Sequence, residues 1–175
     1  MTQMIPAWVD GTLTAVEKYD VHRRGLRHPA ISVFLLDEEG RILLQQRALS
    51  KYHTPGLWAN TCCTHPHWGE DPKACAHRRL REELGLDAPD LQHCGQIEYR
   101  AEVGTDMIEH EVVDLFVGYY PGSAEITPNP SEVHATCWRS PSDLHQSLRE
   151  QPARFTPWLQ IYMEKHAELL FAPIG

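Results

Sequence analysis

The chain has 175 residues and a formal net charge of −8, long enough for one domain with a sizeable core and the wrong sign for a general nucleic-acid binder. Its composition is ordinary for a soluble globular protein and excludes collagen-like, coiled-coil and low-complexity architectures. Five cysteines, an odd number with Cys62 and Cys63 adjacent, point to reduced thiols in a cytoplasm rather than to a disulfide framework.

The opening residues, MTQMIPAWVDG, lack the basic segment and apolar run of a secretory signal, and the longest apolar stretch, 31–36, is far too short to cross a bilayer. Residues 29–37 read as a strand, 37–40 as a turn and 41–47 as a returning strand. Residues 57–63 fit a short buried strand. Asp71 followed by Pro72 is a strong helix start and Gly85 a strong stop, so a helix is predicted over 72–84. Strands are predicted over 97–101, 109–119 and 133–139, with a proline-rich surface loop at 121–130 and helices over 142–150 and 157–171. No linker divides the chain, so 1–175 is expected to be a single domain, of class α+β.

Basic residues gather in islands within this acidic chain: 22–28, Arg47 with Lys51, and Arg78 to Arg81. Such islands suit a small anionic ligand, although solvated faces give the same pattern. The stretch Asn60-Thr-Cys-Cys-Thr-His-Pro-His-Trp-Gly-Glu70 packs two thiols, two imidazoles and a carboxylate into a short segment. A zinc knot would need a second Cys-x-x-Cys or a His pair, and none is suitably spaced. On the predicted helix Arg79 and Glu83 stand four apart on one face, where a carboxylate can aim at a metal-bound diphosphate beside a guanidinium. An exposed helix laced with ion pairs would look the same.

The wider spacing resembles the Nudix box: Thr64, five residues, Glu70, seven residues, then Arg78-Arg79-Leu80-Arg81-Glu82-Glu83-Leu84-Gly85-Leu86. Two positions depart from that motif. Thr64 replaces its first glycine, and Arg79 replaces a glutamate that binds metal in the hydrolases, which removes part of what activates water.

Further segments occur in order: Glu17-Lys18-Tyr19 with His22, His28-Pro-Ala-Ile-Ser-Val-Phe, Gln46-Arg47-Ala-Leu-Ser-Lys51, Pro55-Gly-Leu-Trp-Ala-Asn60, Cys63-Thr-His65-Pro66, Tyr99-Arg-Ala101 and Glu109-His-Glu111. Together with Phe155-Thr-Pro-Trp158 they resemble the type 1 isopentenyl diphosphate isomerases over nearly the whole chain. The resemblance implies a Nudix-like fold, a mixed sheet flanked by helices, and one divalent metal held by His22, His28, His65, Glu109 and Glu111. Imidazole with carboxylate suits Mn²⁺, Mg²⁺ or Zn²⁺. Taken singly, each histidine would more often be a surface or hydrogen-bonded residue. Glu109 and Glu111 are two apart on a predicted strand and project from one face, whereas His110 points the other way.

The implied reaction interconverts isopentenyl and dimethylallyl diphosphate, with Cys63 and Glu111 as the two opposed proton-transfer groups and Tyr99 hydrogen-bonded nearby. Trp158 matches the family's aromatic residue, whose π face can favour a cation by ~0.5–2 kcal/mol. Strand alternation sends one of Cys62 and Cys63 to the core, and registration with His65 selects Cys63 for the site. Arg47, Lys51 and Arg79, with Lys18 as a further candidate, match phosphate-binding positions. Glu83 and the Cys63 carbonyl are expected to hold a Mg²⁺ that bridges to the diphosphate. Pro29, directly after His28, departs from the expected donor-bearing residue. The expected partner is a small isoprenoid diphosphate, with no nucleic acid or membrane, and nothing in the chain specifies an oligomer. Two rivals remain: a Nudix hydrolase, which needs an activated water, and a non-catalytic regulator that binds metal or diphosphate.

Overall fold

The computed structural model describes residues 2–88 and 90–172. It opens with a hairpin, β1 (Met4–Val9) against β2 (Thr12–Glu17), turning at Asp10 and Gly11 with φ of 49° and 79°. Asp-Gly favours this turn because its twist matches that of paired strands. Glu17 then caps α1 (Lys18–Arg24) by accepting from the Tyr19 and Asp20 amides. No element is predicted from sequence before residue 29. Pro6 weakens the first strand signal, β2 is mostly exposed, and a seven-residue helix is too short to show a period.

The main sheet is built on β3 (Arg27–Leu36), which runs parallel to β8 (Ile108–Tyr119) and antiparallel to β6 (Cys62–Thr64). It meets β4 (Ile42–Arg47) at its far end, and β4 also pairs β5 (Trp58–Ala59) and β9 (Val133–Arg139). Strand β7 (Gln92–Glu102) lies antiparallel to β8. Helix α2 (Pro72–Leu84) covers one face, with α3 (Pro141–Glu150), α4 (Pro157–Lys165) and α5 (Ala167–Phe171) on the other. The sheet is mixed and flanked by helices, as the α+β reading expects.

Because both faces are covered, β3 reads as an almost unbroken apolar run. Ala30, Phe34 and Leu36 join the core beneath α4, whereas Ile31, Val33 and Leu35 join the core beneath α2. The period of two continues into polar positions: His28 and Ser32 share the α4 face, as do Glu109 and Glu111 with Val113 on β8. Buried polar side chains therefore crowd one end of one face, at the start of the parallel β3/β8 pair.

Two predicted elements are divided. The strand over 57–63 is two strands, because Asn60 and Thr61 replace backbone pairing with side-chain bonds. Thr61 Oγ1 accepts from the Leu35 amide (2.9 Å) and donates to the Leu43 carbonyl (2.7 Å), so it stitches β3 to β4 where they diverge. Asn60 Nδ2 donates to the Val33 carbonyl at 2.9 Å. The helix over 157–171 breaks at His166, whose φ of −130° leaves the helical region. The prediction over 72–84 matches α2, with Asp71 as cap and Gly85 in the left-handed region at φ 63°. A Cβ at Gly85 would also lie 2.8 Å from the Thr127 carbonyl of the crossing loop.

Candidate active site

Helix α1 buries Val21 and His22 and leaves its other face to solvent. The Lys18 carbonyl accepts from His22 Nδ1 (2.6 Å), and the Leu26 carbonyl accepts from His28 Nδ1 (2.7 Å). A carbonyl can only accept, so both Nδ1 atoms carry a proton and both Nε2 atoms point inward. His22 Nε2 lies 3.1 Å and His28 Nε2 3.4 Å from Glu109 Oε2. His65 Nε2 lies 3.1 Å from Glu111 Oε1 and 3.2 Å from His28 Nε2. Donor atoms of His22, His28, His65 and Glu109, all buried, fall within 4.8 Å of one another.

His22 Nε2 and Glu109 Oε2 are buried and make no hydrogen bond despite their proximity. Orphaned atoms converging in this way are what a divalent cation satisfies. The electrostatics agree. Burial opposes ionisation of Glu109, but His22, His28 and His53 outweigh it and hold its carboxyl well below the usual range. Burial likewise opposes protonation of His28, but hydrogen bonds to Glu109 and Glu111 overcome it and raise its pKa to about 10. This donor set holds positive charge.

Glu111 bridges the cluster to a second group of residues. Its Oε2 accepts from the Tyr99 hydroxyl at 2.8 Å, and burial, reinforced by Glu109, moves its carboxyl upward. Across β3, Cys63 faces the same pocket while Cys62 lies in the core beneath α2. The Cys63 thiol donates to Asn60 Oδ1 (2.9 Å) and contacts Ser32 Oγ at 3.0 Å. Burial pushes this thiol up to about 12, so it is neutral at physiological pH and keeps its proton.

The other end of the pocket is cationic: Lys18, Arg47, Lys51 and Arg79 all line it. Burial, with Lys51 and Arg79 nearby, holds the Lys18 amine below its ordinary value. Arg79 and Glu83 meet at 2.6 Å, as their spacing predicts, and Gln45 Nε2 donates to the second Glu83 oxygen at 2.9 Å. The Arg47 guanidinium lies 5.3 Å from the centre of the Trp158 ring. Every residue singled out from sequence as catalytic, metal-holding or substrate-binding lines this pocket or the imidazole cluster behind it.

His110 points away and pairs with Glu98, as alternation requires. Sequence reasoning missed His53, which faces Glu109 Oε1 at 3.1 Å, and Glu132, which pairs with Lys51 and lies 3.5 Å from Arg79. It also missed Ser32 and Gln45, neutral residues inside apolar strands. For Gln45 and Ser32, polar positions in otherwise apolar runs were the available signal; Glu132 reaches the pocket only through the loop after residue 121.

Glu70, the first carboxylate of the Nudix-like motif, is structural. It takes a two-pronged grip from Arg78 (2.7 and 2.9 Å) and accepts from the His67 amide (2.8 Å). Arg78 lowers its carboxyl from 4.5 to about 2. A depressed folded-state pKa gives stability that is complete above the unfolded value and lost as pH falls through the folded one. Glu70→Gln should therefore cost about 1 kcal/mol in urea unfolding at pH 7. The gap to the parent should close between pH 4.5 and about 2.

Residues 26–159 match the NUDIX domain model. The chain is 56% identical over 172 residues to the isopentenyl-diphosphate Delta-isomerase of Rhodobacter capsulatus, covering 98% of this chain and 97% of that one. It is 54% identical to the enzyme of the same name from Cereibacter sphaeroides, covering 99% and 98%. Among solved structures, a Deinococcus radiodurans protein superposes with a TM-score of 0.73 at 14% identity, over 93% of this chain and 98% of that one. A MutT protein from Methanosarcina mazei gives 0.64 at 18% identity, over 79% and 91%. At such identities these structures speak for the fold alone.

Proposed function

The chain belongs to the isopentenyl-diphosphate Delta-isomerase family of NUDIX-domain proteins, and from that premise we propose that it interconverts isopentenyl and dimethylallyl diphosphate through the pocket described above. The observation that carries the reading is the placement of a neutral thiol, Cys63, and a carboxyl with a raised pKa, Glu111, on the two strands flanking β3, in one pocket with four cationic side chains.

The reaction needs a proton added to the terminal alkene carbon and another taken from C2. In one direction the alkene π electrons bond the incoming proton, leaving a tertiary cation at C3. The C2–H electrons then form the new double bond as the proton departs to the opposite group. An alkene is a very weak base, so the acid must be fixed and water kept out. Asn60 and Ser32 hold the Cys63 thiol, and Tyr99 holds Glu111. Trp158 offers its ring to the cation, a contribution of ~0.5–2 kcal/mol.

Lys18, Arg47, Lys51 and Arg79 bind the diphosphate. Arg79 stands where the hydrolases carry a metal-binding glutamate, so this end binds charge without activating water. His22, His28, His65, Glu109 and Glu111 would hold Mn²⁺, Mg²⁺ or Zn²⁺, and Glu83 with the Cys63 carbonyl would hold the Mg²⁺ of the bound diphosphate. Bound, the cluster ion would set which protonation state Glu111 adopts. The acting thiol must stay reduced, which suits the cytoplasm, and the whole of 1–175 acts as one domain. Among the described residues no helix is long and apolar enough to cross a membrane.

The deciding experiment incubates the protein with isopentenyl diphosphate and Mg²⁺ in D₂O under NMR. Dimethylallyl diphosphate with solvent deuterium in its methyl group is the expected product. Free phosphate without isomer would make the chain a hydrolase, and bound but unchanged substrate would make it a regulator.

A further inference from the structure

Four histidines surround Glu109 and Glu111, and His53 is the one whose Nδ1 lies against a hydroxyl. His22 and His28 give their Nδ1 protons to backbone carbonyls and turn Nε2 toward the carboxylates, while His65 Nδ1 has no hydrogen-bond partner. His53 Nδ1 instead faces the Thr54 hydroxyl at 3.0 Å, a group able to donate. Its Nε2 lies 3.1 Å from Glu109 Oε1, a carboxylate oxygen that accepts only. The arrangement that satisfies every atom has Thr54 donating to Nδ1 and His53 Nε2–H donating to Glu109.

The two Glu109 oxygens are thereby divided. Oε1 faces His53, while Oε2 faces His22 and His28 and carries no hydrogen bond. The His53 ring is held edge-on between Tyr52 (4.5 Å, 85°) and Trp158 (6.0 Å, 89°). Thr54 has a φ of 47°, a strained conformation for a β-branched residue, and it keeps the hydroxyl beside the imidazole.

We propose that His53 is a positioning residue for the metal centre: its Nε2–H holds Glu109 Oε1, turning Oε2 alone toward the ion shared with His22, His28 and His65. The proposal rests on the metal reading of this cluster and adds to it. Outer hydrogen-bond partners of this kind orient ligands and tune affinity. His53 lies two residues beyond Lys51, so the loop that presents a phosphate-binding cation also orients a metal ligand.

The test is Mn²⁺ binding to the metal-free protein, read by electron paramagnetic resonance without substrate. His53→Ala should weaken binding by about 10–100-fold. His53→Gln, which keeps an N–H donor, should recover most of the loss. Thr54→Val should weaken binding where Thr54→Ser does not, and these two variants carry the test if His53→Ala fails to fold. Pulsed measurements should count the nitrogens of three imidazoles, His22, His28 and His65, on Mn²⁺ in the parent and in His53→Gln alike. An affinity in His53→Ala within about twofold of the parent would overturn the proposal, since such partners contribute more than that. So would glutamine performing no better than alanine, or the loss of one coupled nitrogen, which would make His53 a ligand. A parent protein that bound no Mn²⁺ would overturn the metal reading itself, and its own titration separates that failure from failure of His53 alone.

Discussion

Cys63→Ala is expected to lower kcat for isopentenyl diphosphate isomerisation by about 10³–10⁴-fold, with KM changed by less than about threefold, since a positioned acid or base acts in the transition state. Alanine removes the thiol without crowding the pocket, and Asn60 and Ser32 stay bonded to each other (3.1 Å). Substrate affinity should survive because the four cationic side chains of the pocket stand on other elements. Glu111→Gln should cost at least as much, because it removes a proton acceptor and alters the Tyr99 and His65 contacts together. Tyr99→Phe, which leaves the Cys63 thiol and the Glu111 carboxyl in place, should cost about 10–100-fold. Rates and deuterium incorporation by NMR check the series. A Cys63→Ala protein that still placed deuterium in the product at more than a tenth of the parent rate would remove the thiol from the mechanism. Phosphate release that survived both substitutions would instead point to hydrolysis.

Much of this site was legible because strand alternation carries information at every second residue. Glu109 and Glu111 share a face with Val113, and Cys63 parts from Cys62, as period two demands. Helix α2 announced both ends through Asp71, Pro72 and Gly85, and its Arg79–Glu83 pair followed from four-residue spacing. What stayed hidden depends on contacts between segments distant in sequence. His53 lies in an irregular loop and finds Glu109 only once that loop folds over β8. Glu132 reaches Lys51 because the loop after residue 121 is tied to the end of α2 by the Thr127 and Asn129 amides (3.0 and 2.8 Å). The break at Asn60 and Thr61 is invisible to any periodicity, since the side chains themselves supply the pairing. Local rules locate chemistry on regular elements, and loops that close over a site escape them.

Removing divalent metal should abolish turnover and also loosen the fold, and the two effects can be measured apart. A ligand that binds only the folded chain stabilises it by RT ln(1 + [L]/Kd), about 2.7 kcal/mol at a hundredfold excess over Kd. For a chain of this size that is a rise in Tm of about 5–10 °C on adding Mn²⁺ to chelated protein. His22→Ala should erase most of this shift, measured against the metal-free Tm of the same variant so that the cost of emptying a buried site is separated from the lost ligand. The pH dependence has a definite sign. Without metal, the folded chain keeps a proton on His28 up to a pKa of about 10. Metal must displace that proton, so Mn²⁺ affinity should fall by about tenfold for each unit of pH lowered below neutrality. The thermal shift should shrink with it. Calorimetric titration at several pH values, in two buffers of different ionisation heat, would count the released protons. Affinity independent of pH, with no proton released, would mean that the ion sits elsewhere and that the imidazole cluster is a hydrogen-bonded core of the fold.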